Sequence, residues 1–143
     1  MGHSRGGLTT KIHALVDAEG RPVRIELTAG QAADAPVAER LLCDLQPGSI
    51  LLADKAYDTD AIRNLAKSRK SWANIPAKIN RKQTFSFSRW LYRQRNLVER
   101  FFNRIKNMRG LATRYDRRAD NYLAALKLVA ARILIASGCE STA

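Results

Sequence analysis

Four residues able to do chemistry recur along one stretch: Tyr92, Arg95, Glu99 and Lys106. If residues 92–106 are helical, about 100° per residue puts all four within an arc of roughly 60°. That arc borders an apolar stripe formed by Leu97, Val98, Phe101, Phe102, Ile105 and Met108. A carboxylate at the rim of a core then shares its face with two cations and a phenol. A second carboxylate, Asp54, ends the apolar run 49–53, Ser-Ile-Leu-Leu-Ala. The carboxyl ends of strands in open α/β sheets are where ligands bind, and a charge there can point into a crevice. Hard oxygen donors of this kind suit Mg²⁺. Plainer readings stand beside these. Arg95 and Glu99 are spaced as a solvated helix pair worth a few tenths of a kcal/mol, and Asp54 could simply start a turn.

The elements that must position these groups follow from periodicity. Residues 1–8 are Gly-rich and basic and read as a flexible lead. Residues 9–16 alternate, with Ile12, Ala14 and Val16 on one face, and Val23, Ile25 and Leu27 alternate with Arg24, Glu26 and Thr28. The turn Asp17-Ala18-Glu19-Gly20 between them predicts an antiparallel hairpin. Asp34 is placed to cap a helix carrying Ala38, Leu41, Leu42 and Leu45, with Cys43 in the same pattern and Pro47-Gly48 at its end. The run before Asp54 does not alternate, which predicts a parallel strand covered on both faces. Asp58 reads as the cap of a short helix with Ile62, Leu65 and Ala66. Residues 72–75 read as a further short strand. Residues 77–91 form a basic loop with interleaved aromatics, the Glu99 helix ends near Arg109-Gly110, and a last helix spans about 120–136 with Leu123, Leu126, Ala130, Ile133 and Leu134 inward. The organisation expected is one domain: lead 1–8, sheet half 9–75, basic loop 76–91 and C-terminal helices 92–137.

Charge separates the two halves. The chain has 143 residues and a net charge of +12. Residues 1–66 carry 7 Lys or Arg against 9 Asp or Glu, and residues 67–143 carry 18 against 4. Such asymmetry points to a polyanion, nucleic acid first. Lys67, Arg69, Lys70, Lys78, Arg81, Lys82, Arg89 and Arg93 are expected to track DNA backbone, with Phe85, Phe87 and Trp90 packing or stacking nearby. Two cysteines, Cys43 and Cys139, show neither metal spacing nor a disulfide framework. No signal peptide or membrane span is apparent, since the most apolar stretch, 123–136, is broken by Lys127 and Arg132. A cytoplasmic, nucleoid-associated location is expected.

A hairpin, a helix, a parallel strand ending in Asp, basic connections and a helix bearing Glu make most of a ribonuclease H-like α/β fold. In that fold carboxylates meet at one end of the sheet and hold two divalent metals roughly 4 Å apart for phosphoryl transfer. The spacing of Tyr92, Arg95, Glu99 and Lys106 resembles the Tyr-Arg-Glu-Lys signature of bacterial insertion-sequence DDE transposases, specifically the IS-five type. Residues 4–13 (Ser-Arg-Gly-Gly-Leu-Thr-Thr-Lys-Ile-His) and 27–34 (Leu-Thr-Ala-Gly-Gln-Ala-Ala-Asp) resemble the entry and exit of that family's second and third strands. Residues 53–58 (Ala-Asp-Lys-Ala-Tyr-Asp) resemble the segment bearing its second Asp; Ile75-Pro76, Arg95-Asn96 and residues 112–116 (Ala-Thr-Arg-Tyr-Asp) also fit. The resemblance implies that Asp54 and Glu99 are catalytic and bind Mg²⁺ or Mn²⁺. It implies that Tyr92, Arg95 and Lys106 touch DNA phosphate or orient Glu99; the basic half adds Arg81, Lys82 and Arg89 as expected DNA contacts.

One departure matters. The first Asp of such a triad lies on a strand ahead of the hairpin, and no Asp-bearing strand precedes Thr9. Asp17 lies at the far end of the sheet, and Asp34 is too far to one side. The expectation is therefore a C-terminal part of a catalytic domain lacking the first strand, inactive without an upstream polypeptide and a homo-oligomer when complete. A non-catalytic DNA-binding regulator and a nuclease of the same fold are the competing readings.

Overall fold

In a computed structural model, which describes residues 2–4, 7–108 and 118–140, the chain divides into two units. One comprises residues 1–31 and 96–143, the other residues 32–95. Arg109, Gly110 and the 112–116 motif lie outside the described residues.

The first unit is built on the expected hairpin. β2 (Gly7–Val16) pairs antiparallel with β3 (Pro22–Ala29), Ile12 opposite Leu27 and Ala14 opposite Ile25. The turn closes as its residue types require. Asp17 Oδ1 accepts the backbone N–H groups of Glu19 and Arg21, both at 2.9 Å, and Gly20 takes φ 79°, which a side chain would resist. The lead expected to be flexible instead contains β1 (Gly2–Ser4), antiparallel to β2 with Ser4 opposite Gly7, so pairing starts two residues before Thr9. Alternating strands bury one face, and here two helices bury it. α4 (Asn96–Lys106) contributes Phe101 and Ile105, and α5 (Ala119–Glu140) contributes Tyr122, Leu126, Ala130 and Ile133, to a core with Ile25. Ile12, Ala14, Val16, Leu27, Phe102 and Met108 pack against it. α5 differs from expectation in two ways. Leu134 is exposed and Tyr122 takes an inward place, because a helix apolar on nearly every side (Leu128 and Ile135 are also exposed) gives periodicity no phase to read. It also continues past Gly138 to Glu140. Among the described residues, no helix is long and apolar enough to cross a membrane.

The second unit carries the short parallel pair. α1 (Ala35–Leu41) buries Val37, Ala38 and Leu41, and Leu42 follows them into the core. Asp34 sits at its N-cap position but accepts no side-chain capping bond, having αR backbone angles in place of the extended ones a cap needs. β4 (Ile50–Leu52) runs parallel to β5 (Trp72–Asn74), Leu52 opposite Asn74. Leu51 is buried but Ile50 is exposed, so this three-residue strand is not covered throughout as its apolar run suggested. α2 (Asp60–Ser68) is capped by Thr59, whose hydroxyl accepts from Ile62 N at 3.2 Å; Asp58, the expected cap, is buried one residue earlier. The single helix expected over 92–109 is three pieces: α3 (Arg89–Tyr92), a 3₁₀ turn (Arg93–Arg95) and then α4. No Gly or Pro forces that break.

Candidate active site

Parallel pairing puts the carboxyl ends of β4 and β5 on one edge, and both ends are put to use. Two residues beyond β4, Asp54 is extended (φ −69°, ψ 160°), and its backbone carbonyl starts the 3₁₀ turn Lys55–Tyr57 by accepting Tyr57 N at 2.9 Å. Its side chain makes no capping bond and points elsewhere. Tyr92 Oη donates to Oδ1 at 3.0 Å, and Arg95 Nη1 lies 2.9 Å from Oδ1 and 3.0 Å from Oδ2. The carboxylate keeps 49% of its surface exposed. Burial pushes the nearby Tyr57 phenol up, and the Asp34 and Asp54 carboxylates add to the shift.

At the other strand end Asn74, fully buried, holds both sides of Ser88. Its Nδ2 donates to Ser88 O at 3.0 Å and its Oδ1 accepts Ser88 N at 2.8 Å. Ser88 in turn caps α3, its hydroxyl accepting Leu91 N at 3.4 Å. The 3₁₀ turn that follows explains how Tyr92 and Arg95 reach one carboxylate. Side chains three apart eclipse in that geometry, and both groups meet Asp54. The Phe87 ring, 5.3 Å from the Tyr92 ring, and the Arg95 guanidinium, 5.5 Å above it, complete the setting.

Four residues beyond Asp54, Asp58 is also surrounded by donors, but out of solvent. Its Oδ1 accepts Arg63 Nε at 2.7 Å, and its Oδ2 accepts Lys78 N and Arg81 Nε, both at 2.8 Å. Arg63 also donates to the Ala73 and Ile75 carbonyls at 3.4 and 2.9 Å. Burial pushes the Asp58 carboxyl up, but the Lys78 amide and the two guanidinium groups outweigh it and hold the pKa below the ordinary carboxylate value. Arg81 reaches Asp60 as well, at 2.6 Å, and Phe85 lies 3.8 Å beneath the Arg63 guanidinium.

Of the residues singled out from sequence, Asp54, Tyr92 and Arg95 meet in the second unit. Glu99 and Lys106 are exposed in the first and last turns of α4, in the first unit. Lys67, Arg69, Lys70, Lys78, Lys82, Arg89 and Arg93 are exposed, as is Trp90. Arg81 and Phe85 are less exposed: the guanidinium is held by Asp58 and Asp60, and the ring packs on Arg63. Sequence reasoning missed Asn74, Ser88 and Arg63. The signal available was a polar residue closing an apolar strand and an Arg beside Ile62 on the buried side of α2.

The transposase DDE domain family matches residues 2–134. The chain belongs to the DDE transposases. A candidate transposase for insertion sequence element IS6501 from Brucella ovis is 36% identical to this DDE transposase over 127 residues, 88% of this chain and 98% of that protein. No solved structure gives a significant match. The family assignment carries an insertion-sequence origin with it. DDE transposases normally use divalent metal ions, and the Asp54 carboxylate suits one: two hard oxygens, half exposed, at a sheet edge. Among the described residues, no three His, Cys, Asp or Glu side chains gather into a cluster able to hold a metal ion, so a complete ligand set is not assembled from them.

Proposed function

We propose that this DDE transposase, of the IS-five type by its Tyr-Arg-Glu-Lys spacing, acts in DNA strand cleavage and strand transfer, with a ribonuclease H-like arrangement of its strands. The observation that carries the reading is the half-exposed Asp54 carboxylate at the carboxyl edge of β4–β5, oriented by Tyr92 and Arg95 of the signature. Asp54 and Glu99 are the acidic residues of the reaction and the ligands for Mg²⁺ or Mn²⁺, which when bound supplies a polarised water or hydroxyl and neutralises the leaving oxygen. Arg95 and Tyr92 hold the Asp54 carboxylate in place at the edge. Lys82, Arg89 and Lys106 contact DNA phosphates. The sequence's charge asymmetry also supports a second reading, a DNA-binding regulator that does no chemistry.

Strand cleavage and strand transfer with a matched element end separate the two. The assay is run with residues 1–143 alone and with an added upstream segment bearing an Asp on a strand. Cleavage that disappears in Glu99→Gln without loss of folding supports the transposase reading. DNA binding with no cleavage in either form would leave the regulator.

A further inference from the structure

The turn at residues 78–81 stands apart from the rest of the basic loop because one buried carboxylate grips both of its ends. Arg81 N donates to Lys78 O at 3.0 Å, closing the turn. Asp58 Oδ2 accepts Lys78 N at one end and Arg81 Nε at the other, both at 2.8 Å, and Asp58 O accepts Arg81 Nη2 at 3.3 Å. Asp58 is itself fixed to β5 through Arg63. These ties hold the two ends of the turn, and its tip is Ile79, 93% exposed. Exposed Lys78, Asn80 and Lys82 flank it. A single aliphatic side chain ringed by cations and an amide is a poor match for a protein partner, which would need a wider apolar patch. It suits duplex DNA, where flanking cations meet phosphates and an apolar residue can enter a base step, partly unstacking it.

Resting on the DNA-binding reading above, we propose that Ile79 is an apolar wedge that enters a base step of bound DNA, carried on a turn made rigid by Asp58. The wedge would favour pyrimidine–purine steps, which unstack most easily. It would bend or open DNA next to the phosphates engaged by Lys78 and Lys82.

The test uses the full chain and a duplex of repeated TA steps with 2-aminopurine in place of adenine, whose fluorescence rises on unstacking. Wild type is expected to raise the fluorescence on binding. Ile79→Ser should lose most of that rise while weakening binding by no more than about tenfold, with its salt slope and melting temperature unchanged. Ile79→Met, which restores an apolar tip, should recover the rise. Lys82→Ala should keep the rise but reduce the salt slope by about 0.9. An unchanged rise in Ile79→Ser, or no rise with bound wild type, overturns the wedge and leaves DNA binding standing. Failure of wild type to bind the duplex at low salt overturns the wedge together with the reading it rests on.

Discussion

Asp54 and Asp58 lie four residues apart in one unit, and each is met by arginine, yet they are built for opposite purposes. Asp58 is sealed from solvent and satisfied on both oxygens by three groups, from α2 and from the loop after β5. Asp54 is half exposed and met by two groups of the signature segment. The ion pair at Asp58 ties an architecture together, while the one at Asp54 orients an accessible group. The presence of a salt bridge therefore says little about an aspartate's role; burial and the number of satisfied lone pairs say more.

The largest expected effect is at the buried site. Asp58→Ala leaves the Arg63 guanidinium buried without its carboxylate and should cost about 3–5 kcal/mol, read as a fall in the urea midpoint. Out of a total of about 5–15 kcal/mol, that loss threatens folding itself. A shift similar to that of Asp54→Ala would erase the contrast.

Asn74→Ala comes next. It strands the Ser88 N–H and carbonyl and should cost about 1–3 kcal/mol. Because Ser88 starts the segment that brings Tyr92 and Arg95 to Asp54, the variant should also weaken cleavage more than its lost stability explains. Asn74→Asp should not recover the stability, because a buried carboxylate would face the Ser88 carbonyl without a donor to offer. Equal activity at equal folded fraction would show that Asn74 only stabilises.

Acid sharpens the comparison further. The Asp58 pKa is lower in the folded chain than in the unfolded one, so its contribution is fully present above the ordinary carboxylate value and declines as pH falls below about 4. Denaturant titrations from pH 6 downward should show that decline in wild type, and it should be shallower in Asp58→Asn. Parallel curves would place the acid-labile group elsewhere.

The smallest effect on stability is expected at Asp54. Its partly exposed pair is worth about 0–1 kcal/mol, so Asp54→Asn should barely move the midpoint. A loss near that of Asp58→Ala would make Asp54 structural.

Much of this was legible beforehand, for reasons that differ by element. The hairpin and the inward stripe of α4 follow from alternation and helical spacing, which are set locally and read locally; β4 and β5 were legible as short apolar runs, but not their pairing with each other. Asp54 was legible because it stops an apolar run. Asp58 was misread because capping is a local rule, and the groups that claimed it, Lys78 and Arg81, lie 20 and 23 residues away. The same distance hid the pairing of Arg81 with Asp58 and Asp60. The break at Arg93–Arg95 has no marker in the sequence; pairing with Asp54 accompanies it, and tertiary contacts override helix propensity. Leu134 and Tyr122 exchanged places because α5 is apolar nearly all round.

Under the proposed function Asp54 takes part in the chemistry, whereas Asp58 holds structure. The most direct measurement is Mg²⁺-dependent cleavage of a matched element end by Asp54→Asn, under conditions in which wild type cleaves and compared at equal folded fraction. Stability within about 1 kcal/mol of wild type and cleavage lost are expected. Wild-type cleavage by the folded variant would contradict a chemical role for Asp54.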